Sequence, residues 1–132
     1  MTPFKPLFSP FRIGKLELKN RIVMPPMATN FAGTDGKVNE RHIAYYVRRV
    51  QGRVGYITFE HTGIVKEGKA SPGMALIDGD DKVLHFKKLV DAVRKEGGKI
   101  FIQINHAGRQ TSASITGAPI VGPSPIPCPV RK

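Results

Sequence analysis

Polar side chains collect at the end of a short apolar stretch, residues 99–105 (KIFIQIN). Gln103 lies inside that stretch, and His106 and Arg109 follow it. A carboxamide holds a donor and an acceptor a fixed distance apart, so Gln103 can pair with the edge of a planar heterocycle. Buried without a partner, it would cost about 1–3 kcal/mol. The cluster therefore predicts a polar, planar ligand at one end of a sheet. His106 and Arg109 either contact that ligand or orient the following loop.

The spacing of apolar residues predicts the elements that position this cluster. Residues 11–19 alternate apolar and polar side chains around Gly14-Lys15, which indicates a hairpin with Ile13 opposite Leu16. Stretches that are rich in β-formers then alternate with stretches of helical periodicity. The predicted strands are residues 20–24, 54–60 and 99–105, and the last of these reads as buried. The predicted helices are residues 40–51 and a second stretch whose apolar face is lined by Val83, Phe86, Leu89, Val90 and Val93.

Capping residues bound both predicted helices. Asn39 is the expected N-cap of the first helix, and Asp80 or Asp81 that of the second, which Gly97-Gly98 end. Residues 61–80 contain no obvious element, and a loop of about twenty residues in a compact domain usually carries function.

Repeated strand–helix alternation predicts an α/β fold with parallel strands joined by right-handed crossovers. An open nucleotide-binding sheet would need a glycine-rich phosphate turn after its first strand, where this chain has Met24-Pro25-Pro26-Met27. A (β/α)8 barrel keeps its site at the carboxyl ends of its strands, and unusual residues follow all three strands here. They are Pro25 to Asn30, Glu60 to Thr62 and Gln103 to Arg109. The expectation is a partial (β/α)8 TIM barrel, with an N-terminal hairpin followed by three parallel strands and two helices.

Composition narrows the classes of partner. The chain has 132 residues, enough for one domain, and no apolar run of membrane-spanning or signal-peptide length. Its single cysteine, Cys128, fits a reducing compartment, so we expect a cytoplasmic protein, and it cannot build an iron–sulfur cluster. The net charge of +11 is compatible with an anionic partner. Because the basic residues are scattered and form no recognised module, we expect no nucleic-acid partner. We also expect no membrane partner and no metal site.

Four stretches, in order along the chain, resemble the Old Yellow Enzyme family of flavin-dependent oxidoreductases. They are LFSPFRIGKLELKNRIVMPPMATN, DGKVNERHIAYY, FEHTG and IQINHAGRQ, and they span residues 7–110. The resemblance implies an eight-stranded barrel that binds FMN. It also implies hydride transfer from NAD(P)H through the flavin N5 to an activated carbon–carbon double bond. The sequence MPPMATN is most similar to the enoate and 2,4-dienoyl-CoA reductase branch.

The resemblance also implies roles for individual residues. The residues after the first strand would line the isoalloxazine ring, the turn at residues 60–62 would approach it, and Gln103 would bond its pyrimidine edge. The implied FMN-binding residues are Pro25, Pro26, Met27, Ala28, His61 and Gln103. The candidate substrate-binding residues are Asn30, His106 and Arg109, and no residue is assigned a catalytic role.

Three strands are too few for a whole barrel, which needs about 250 residues. Residues 1–132 are therefore expected to form its N-terminal portion: the hairpin at 1–19, alternating strands and helices at 20–110, and a Pro-rich loop or tail at 111–132. The resemblance implies an enone or enoyl substrate. Unpaired strand edges invite pairing, so a complementary barrel fragment or another copy is also an expected partner. The leading hypothesis is a truncated or split flavoenzyme. The alternative is a non-catalytic remnant or assembly module that binds no flavin.

Overall fold

The computed structural model describes residues 4–130 and contains a parallel three-stranded sheet in the order β3-β4-β5. The strands are β1 (Phe11–Ile13), β2 (Leu16–Leu18), β3 (Val23–Met24), β4 (Tyr56–Gly63) and β5 (Ile100–Asn105). The helices are α1 (Glu40–Gln51), α2 (Val83–Lys95) and the single-turn α3 (Ala113–Thr116), with 3-10 turns at Lys66–Gly68 and Asp80–Lys82. Strand, helix, strand, helix and strand follow one another in one parallel sheet, and this confirms the expected portion of a (β/α)8 barrel wall.

The N-terminal hairpin forms as the sequence predicts. Strands β1 and β2 pair antiparallel, with Ile13 opposite Leu16, and Gly14 takes a positive φ of 56° in the turn. The hairpin lies against the amino ends of β3 and β4, where Phe11, Val23 and Tyr56 line one apolar cavity. The end of the sheet opposite the candidate site is thereby partly covered.

Helix α1 begins and ends where the sequence places it, because its start is encoded locally. The Asn39 side chain accepts the backbone N–H of Arg41 at 3.1 Å and of His42 at 3.4 Å, and the Asn39 N–H donates to His42 Nδ1 at 3.2 Å. These reciprocal bonds satisfy amide hydrogens that would otherwise have no partner at the helix start.

The start of α2 differs from the prediction. Asp80 and Asp81 lie in a 3-10 turn, and the N-cap position is Lys82, without a capping side-chain bond. The Asp81 carboxylate instead accepts from the Lys82 ammonium at 2.9 Å, and this bond lowers the pKa of Asp81 and raises that of Lys82. The expected aspartate cap is therefore wrong, because Asp81 is held by the neighbouring lysine.

The core lies between the sheet and the two helices. Tyr46 and Val50 of α1 and Leu89 of α2 bury against Ile57 and Phe59 of β4. The Phe59 ring lies 4.9 Å from that of Tyr46, in the range of favourable aromatic pairs. This layer fixes one face of the sheet and leaves the other face to the candidate site.

Strand β5 is not the buried strand that its composition suggested. Ile102 is 37% exposed and Ile104 is 66% exposed. Within residues 4–130, β5 pairs only with β4 and forms one edge of the sheet. An apolar sequence indicates that a strand can be buried, but not which element buries it. No element within residues 4–130 fully covers Ile102 and Ile104.

Strand β4 continues three residues beyond its predicted end, from residue 60 to Gly63, so part of the expected loop is strand. Among residues 4–130, no helix has both the length and the apolar character that crossing a bilayer requires. In the Pro-rich region expected at 111–132, residues 111–130 are mostly irregular apart from α3, and residues 131 and 132 lie outside the described part of the chain.

Candidate functional site

The register of β4 and β5 places several predicted site residues on one face of the sheet. His61 pairs with Gln103 and Gly63 with Asn105, whereas Phe59 pairs with Ile102 on the opposite, helix-covered face. Because side chains alternate between faces along a strand, His61, Gln103 and Asn105 share the face that α1 and α2 leave open. In a barrel, this is the face that points inward.

The segment after β3 reaches the same end of the sheet. Met24 pairs with Ile57, so Pro25 begins at the carboxyl end of β3, beside β4. The two prolines cannot donate to the sheet, and the chain leaves it there. Met27 is 54% exposed, and Pro26 is half-buried. The parallel topology therefore gathers the implied flavin contacts of all three strands at one edge, as barrel enzymes arrange their sites.

The donors at this edge fit a polar heterocycle. The Gln103 side chain is exposed, and no group within residues 4–130 hydrogen-bonds its carboxamide. Beside it, a polar cavity of about 280 Å³ is lined by His61, Ala70, Asn105, His106, Ala107 and Gln110. Asn105 Oδ1 is buried there without a partner among the described residues. A bound isoalloxazine edge has the alternating donors and acceptors that such amides need.

The three candidate substrate contacts already have partners within the chain. Asn30 Oδ1 accepts from the Ser71 hydroxyl at 2.5 Å, and Asn30 itself takes a positive φ of 57°. His106 Nδ1 accepts the Gly108 N–H at 3.0 Å, and Arg109 Nη1 donates to the Ile126 carbonyl at 2.9 Å. These bonds order the loops around the site. A substrate contact by any of the three stays a prediction.

The loop after β4 is fastened to the segment after β5. Ala107 N–H donates to the Gly68 carbonyl at 2.9 Å, and the Thr111 hydroxyl donates to the Lys69 carbonyl at 2.5 Å. The buried Lys69 ammonium donates to the Pro72 carbonyl at 2.7 Å, and burial lowers its pKa. Much of the expected loop at 61–80 is therefore ordered against the third strand end.

Sequence reasoning missed the direction of the Glu60 side chain. It placed Glu60 in a turn beside the flavin, but the carboxyl group is buried on the helix side, where it binds Thr29 and His42. A glutamate that ends an otherwise apolar strand, VGYITFE, is the one sequence signal of such a site, because a buried carboxylate requires partners.

Tyr46 carries a pH-dependent part of the stability around this carboxyl. The Glu60 N–H donates to the buried Tyr46 hydroxyl at 3.1 Å, and burial raises the pKa of that hydroxyl above its usual value. Since the unfolded chain loses this proton near pH 10, the stability from the neutral phenol is complete below pH 10 and falls above it. Tyr46→Phe should cost about 1–2 kcal/mol at pH 7.

The same substitution should also flatten the alkaline loss of stability. Urea unfolding of both proteins at pH 7, 9 and 10.5 measures this, since other titrating groups contribute equally to each. If the stability difference between the two proteins is the same at all three pH values, the neutral phenol is not the cause.

Two further features lie apart from this edge. A cavity of about 360 Å³ is lined by Gly33, Asp35, Lys37, Val38, Asn39, Glu40, Ile43, His85 and Lys88, none of which is an implied flavin contact. Within the described chain, no three His, Cys, Asp or Glu side chains are grouped as a metal ion would require.

The parallel sheet, its helix layer and the polar edge together define part of a (β/α)8 barrel. The sequence profile of the NADH:flavin oxidoreductase / NADH oxidase family matches residues 6–128, and the chain belongs to this family. It is similar to an NADH oxidase of Thermoanaerobacter brockii, with 50% identity over 130 residues, 97% of this chain and 20% of that protein. An NADPH dehydrogenase of Bacillus velezensis is 40% identical over 122 residues, 92% of this chain and 35% of that protein.

A solved structure supports the same assignment. The Old Yellow Enzyme homologue from Zymomonas mobilis matches with a TM-score of 0.84 and 36% identity, covering 89% of this chain and 33% of that one. The chain thus spans between about a fifth and a third of the proteins to which it is similar.

Proposed function

We propose that this chain supplies the N-terminal, flavin-facing part of an FMN-dependent oxidoreductase of the ene-reductase type. The observation that carries the proposal is the arrangement at the carboxyl end of the sheet. There His61 of β4 pairs with Gln103 of β5, and the segment after β3 leaves the sheet next to β4. When bound, FMN would supply hydride transfer from NAD(P)H to an activated carbon–carbon double bond. Membership of the NADH:flavin oxidoreductase family supports this chemistry.

Each residue at the edge then has a defined task. The Gln103 carboxamide would pair with the pyrimidine edge of the ring, donating through Nε2 and accepting through Oε1. Pro26, Met27 and Ala28 would pack against the ring and exclude water from it. His61, opposite Gln103, would place its backbone and imidazole at the neighbouring position.

The rest of the barrel must come from strands beyond those described. The free edge of β5 and the exposed Ile102 and Ile104 beside it fit a further strand and helix, from a longer chain, a complementary fragment or another copy. We further propose a cytoplasmic enzyme that acts on an enone or enoyl thioester. The enoate and 2,4-dienoyl-CoA reductase branch is the proposed subgroup, on the basis of the sequence MPPMATN.

The proposed function is tested by the effect of Gln103→Ala on FMN binding. We expect about tenfold weaker binding, because the ring loses a hydrogen-bonding partner worth about 1–1.5 kcal/mol. Titration with FMN, followed by flavin absorption and fluorescence, gives the dissociation constant. Far-UV circular dichroism should be unchanged, since Gln103 is exposed on the inner face.

The matched control is Gln51→Ala, which removes an exposed glutamine at the end of α1, on the other side of the sheet. Its affinity for FMN should equal that of the unmodified protein. If Gln103→Ala also binds FMN as tightly as the unmodified protein, the Gln103 side chain does not pair with the flavin. If the unmodified protein binds no FMN at all, the result would instead support the alternative hypothesis of a non-catalytic barrel remnant that binds no flavin.

A further inference from the structure

An irregularity in β4 turns one side chain out of the inner face. Phe59 pairs with Ile102 and His61 pairs with Gln103, so Glu60 is an extra residue between two consecutive pairs. A bulge of this kind re-aims a side chain without ending the strand. Glu60 therefore does not point to the flavin edge, and its carboxyl is buried, with 1% of the residue exposed.

The buried carboxyl of Glu60 is fully engaged. It accepts from the Thr29 backbone N–H, from the Thr29 hydroxyl at 3.0 Å and from His42 Nε2 at 3.1 Å. His42 Nδ1 lies 3.2 Å from the Asn39 backbone nitrogen and 3.1 Å from Asn39 Oδ1. In the tautomer in which Nδ1 accepts the Asn39 N–H, Nε2 carries the hydrogen toward Glu60. Hydrogen bonds to an ionised group are the strong ones, and here two of the three go to the same residue.

Thr29 is the residue directly after the segment that would face the flavin. The side chains of Glu60 and His61 leave β4 in opposite directions, so one short stretch of backbone connects the two sides. Glu60 holds Thr29 on the helix side, while His61 faces the inner edge. Asn30, next along, has a positive φ of 57°, so the chain turns sharply just after the held residue. The path of Pro26 to Ala28 is thereby fixed at both ends, by β3 and by Glu60.

We propose that Glu60, held by His42, is a positioning residue that fixes Pro26 to Ala28 at the flavin edge through its two bonds to Thr29. This inference rests on the proposed function. A carboxylate is suited to the task because it accepts both Thr29 donors at once. A buried carboxyl group is weak support for stability as such, so its use here is to specify one loop path.

The first test uses the protein without flavin and asks whether the two bonds exist. In Glu60→Gln, one oxygen acceptor becomes an NH2 donor, so the Thr29 amide should exchange with solvent at least tenfold faster. Hydrogen exchange followed by NMR measures it. The Ile57 amide, which donates to the Lys99 carbonyl at 2.9 Å, serves as the internal reference and should not change. Unchanged protection of Thr29 would overturn the proposal.

The second test asks whether the contact of Glu60 with Thr29, called the clamp below, affects the bound flavin. Glu60→Gln should weaken FMN binding about tenfold and shift both the visible absorption bands and the midpoint potential of bound FMN. Thr29→Val, which removes only the hydroxyl, should have a smaller effect. Thr29→Ser, which keeps both donors, should have the FMN affinity, spectrum and potential of the unmodified protein. In the Glu60→Gln background, Thr29→Val should add little, because both changes break the same contact.

Two controls separate positioning from general destabilisation. Glu17→Gln removes an exposed carboxylate from β2, and Thr116→Val removes a buried hydroxyl from α3; neither contacts residues 25–30. Both should leave the flavin spectrum and potential unchanged. If FMN binds Glu60→Gln with normal affinity, spectrum and potential, the positioning role is wrong. If the unmodified protein binds no FMN, the proposed function fails and the positioning role with it, while the exchange result still decides whether the clamp exists.

Discussion

Phe59→Ala should lower the free energy of unfolding by about 3–5 kcal/mol, the largest effect expected of any single substitution in this chain. Phe59 is 1% exposed and lies at the centre of the layer between sheet and helices. Its ring is 4.9 Å from that of Tyr46, 5.5 Å from that of Phe86 and 5.7 Å from that of His42. Truncation would leave a cavity that three rings on two helices cannot fill together. Urea unfolding followed by circular dichroism measures the loss.

Phe101→Ala is the matched control, because it removes the same side chain from the neighbouring strand. Phe101 lies on the inner face, is 42% exposed and meets the ring of Tyr56 at 5.1 Å. Its truncation should cost less than half as much. Equal losses for the two variants would mean that the inner face is as well packed as the helix side. If Phe59→Ala does not fold, Phe59→Leu, which keeps most of the apolar volume, replaces it and should still lose more stability than Phe101→Ala.

The parts of this fold that the sequence predicts are those whose signals are local. Helix α1 begins at its predicted residue because Asn39 and His42, three residues apart, satisfy each other's backbone groups. The hairpin forms at Gly14 because the turn needs a positive φ that glycine adopts without strain. Neither feature requires knowledge of what packs elsewhere.

The errors arise where a distant neighbour decides the outcome. Strand β4 ends at Gly63 because β5 pairs with it that far, and Ile104 is exposed because no described element covers it. An apolar strand has the same sequence in both situations. The Asp81 cap failed for a related reason, since its carboxylate bonds Lys82 and has no free oxygen directed to the helix start.

The candidate site divides in the same way. The convergence of three strand ends follows from parallel topology, so the edge that contains His61 and Gln103 could be predicted. The Glu60 contact could not, because it depends on a bulge in the pairing of β4 with β5 and joins residues 31 positions apart in the chain. Because of the bulge, Glu60 faces the helices and His61 faces the inner side of the sheet. The regular alternation of side chains along a strand does not predict the bulge.

The two faces of the sheet thus serve different purposes. On the helix side, Glu60 and the aromatic layer fix the backbone through buried bonds and packing. On the inner side, Gln103 stays exposed and Asn105 Oδ1 lacks a partner among the described residues. A preorganised site needs this combination, because a rigid support lets ligand contacts form without further ordering of the chain. The framework around the edge is therefore expected to change little when FMN binds.

Gly55→Ala should destabilise the protein by about 3 kcal/mol, at the upper end of what an added methyl group usually costs. A Cβ at Gly55 would lie 2.4 Å from the Asn20 carbonyl oxygen and 2.9 Å from Asn20 Oδ1. Neither atom can move freely, because Asn20 Nδ2 donates to the Arg53 carbonyl at 2.7 Å and its Oδ1 accepts the Ile22 N–H at 3.0 Å. Gly55 N–H also donates to the Ile22 carbonyl at 2.7 Å, so the turn is tied to the entry of β3 on every side.

The control for this substitution is Gly79→Ala, where the added methyl group would meet only Asp81 Oδ1, the end of an exposed side chain, at 3.1 Å. Gly79 has an extended φ of −173°, and Gly55 also lies outside the positive-φ region, so backbone strain enters neither comparison. We expect a cost below about 0.5 kcal/mol at Gly79, which is usual for surface positions. Because the Gly55 turn sets where β3 begins, and β3 leads into Pro25 to Ala28, Gly55→Ala should also weaken FMN binding, whereas Gly79→Ala should not. Loss of stability at Gly55 with unchanged FMN affinity would show that the turn supports the fold without setting the flavin edge.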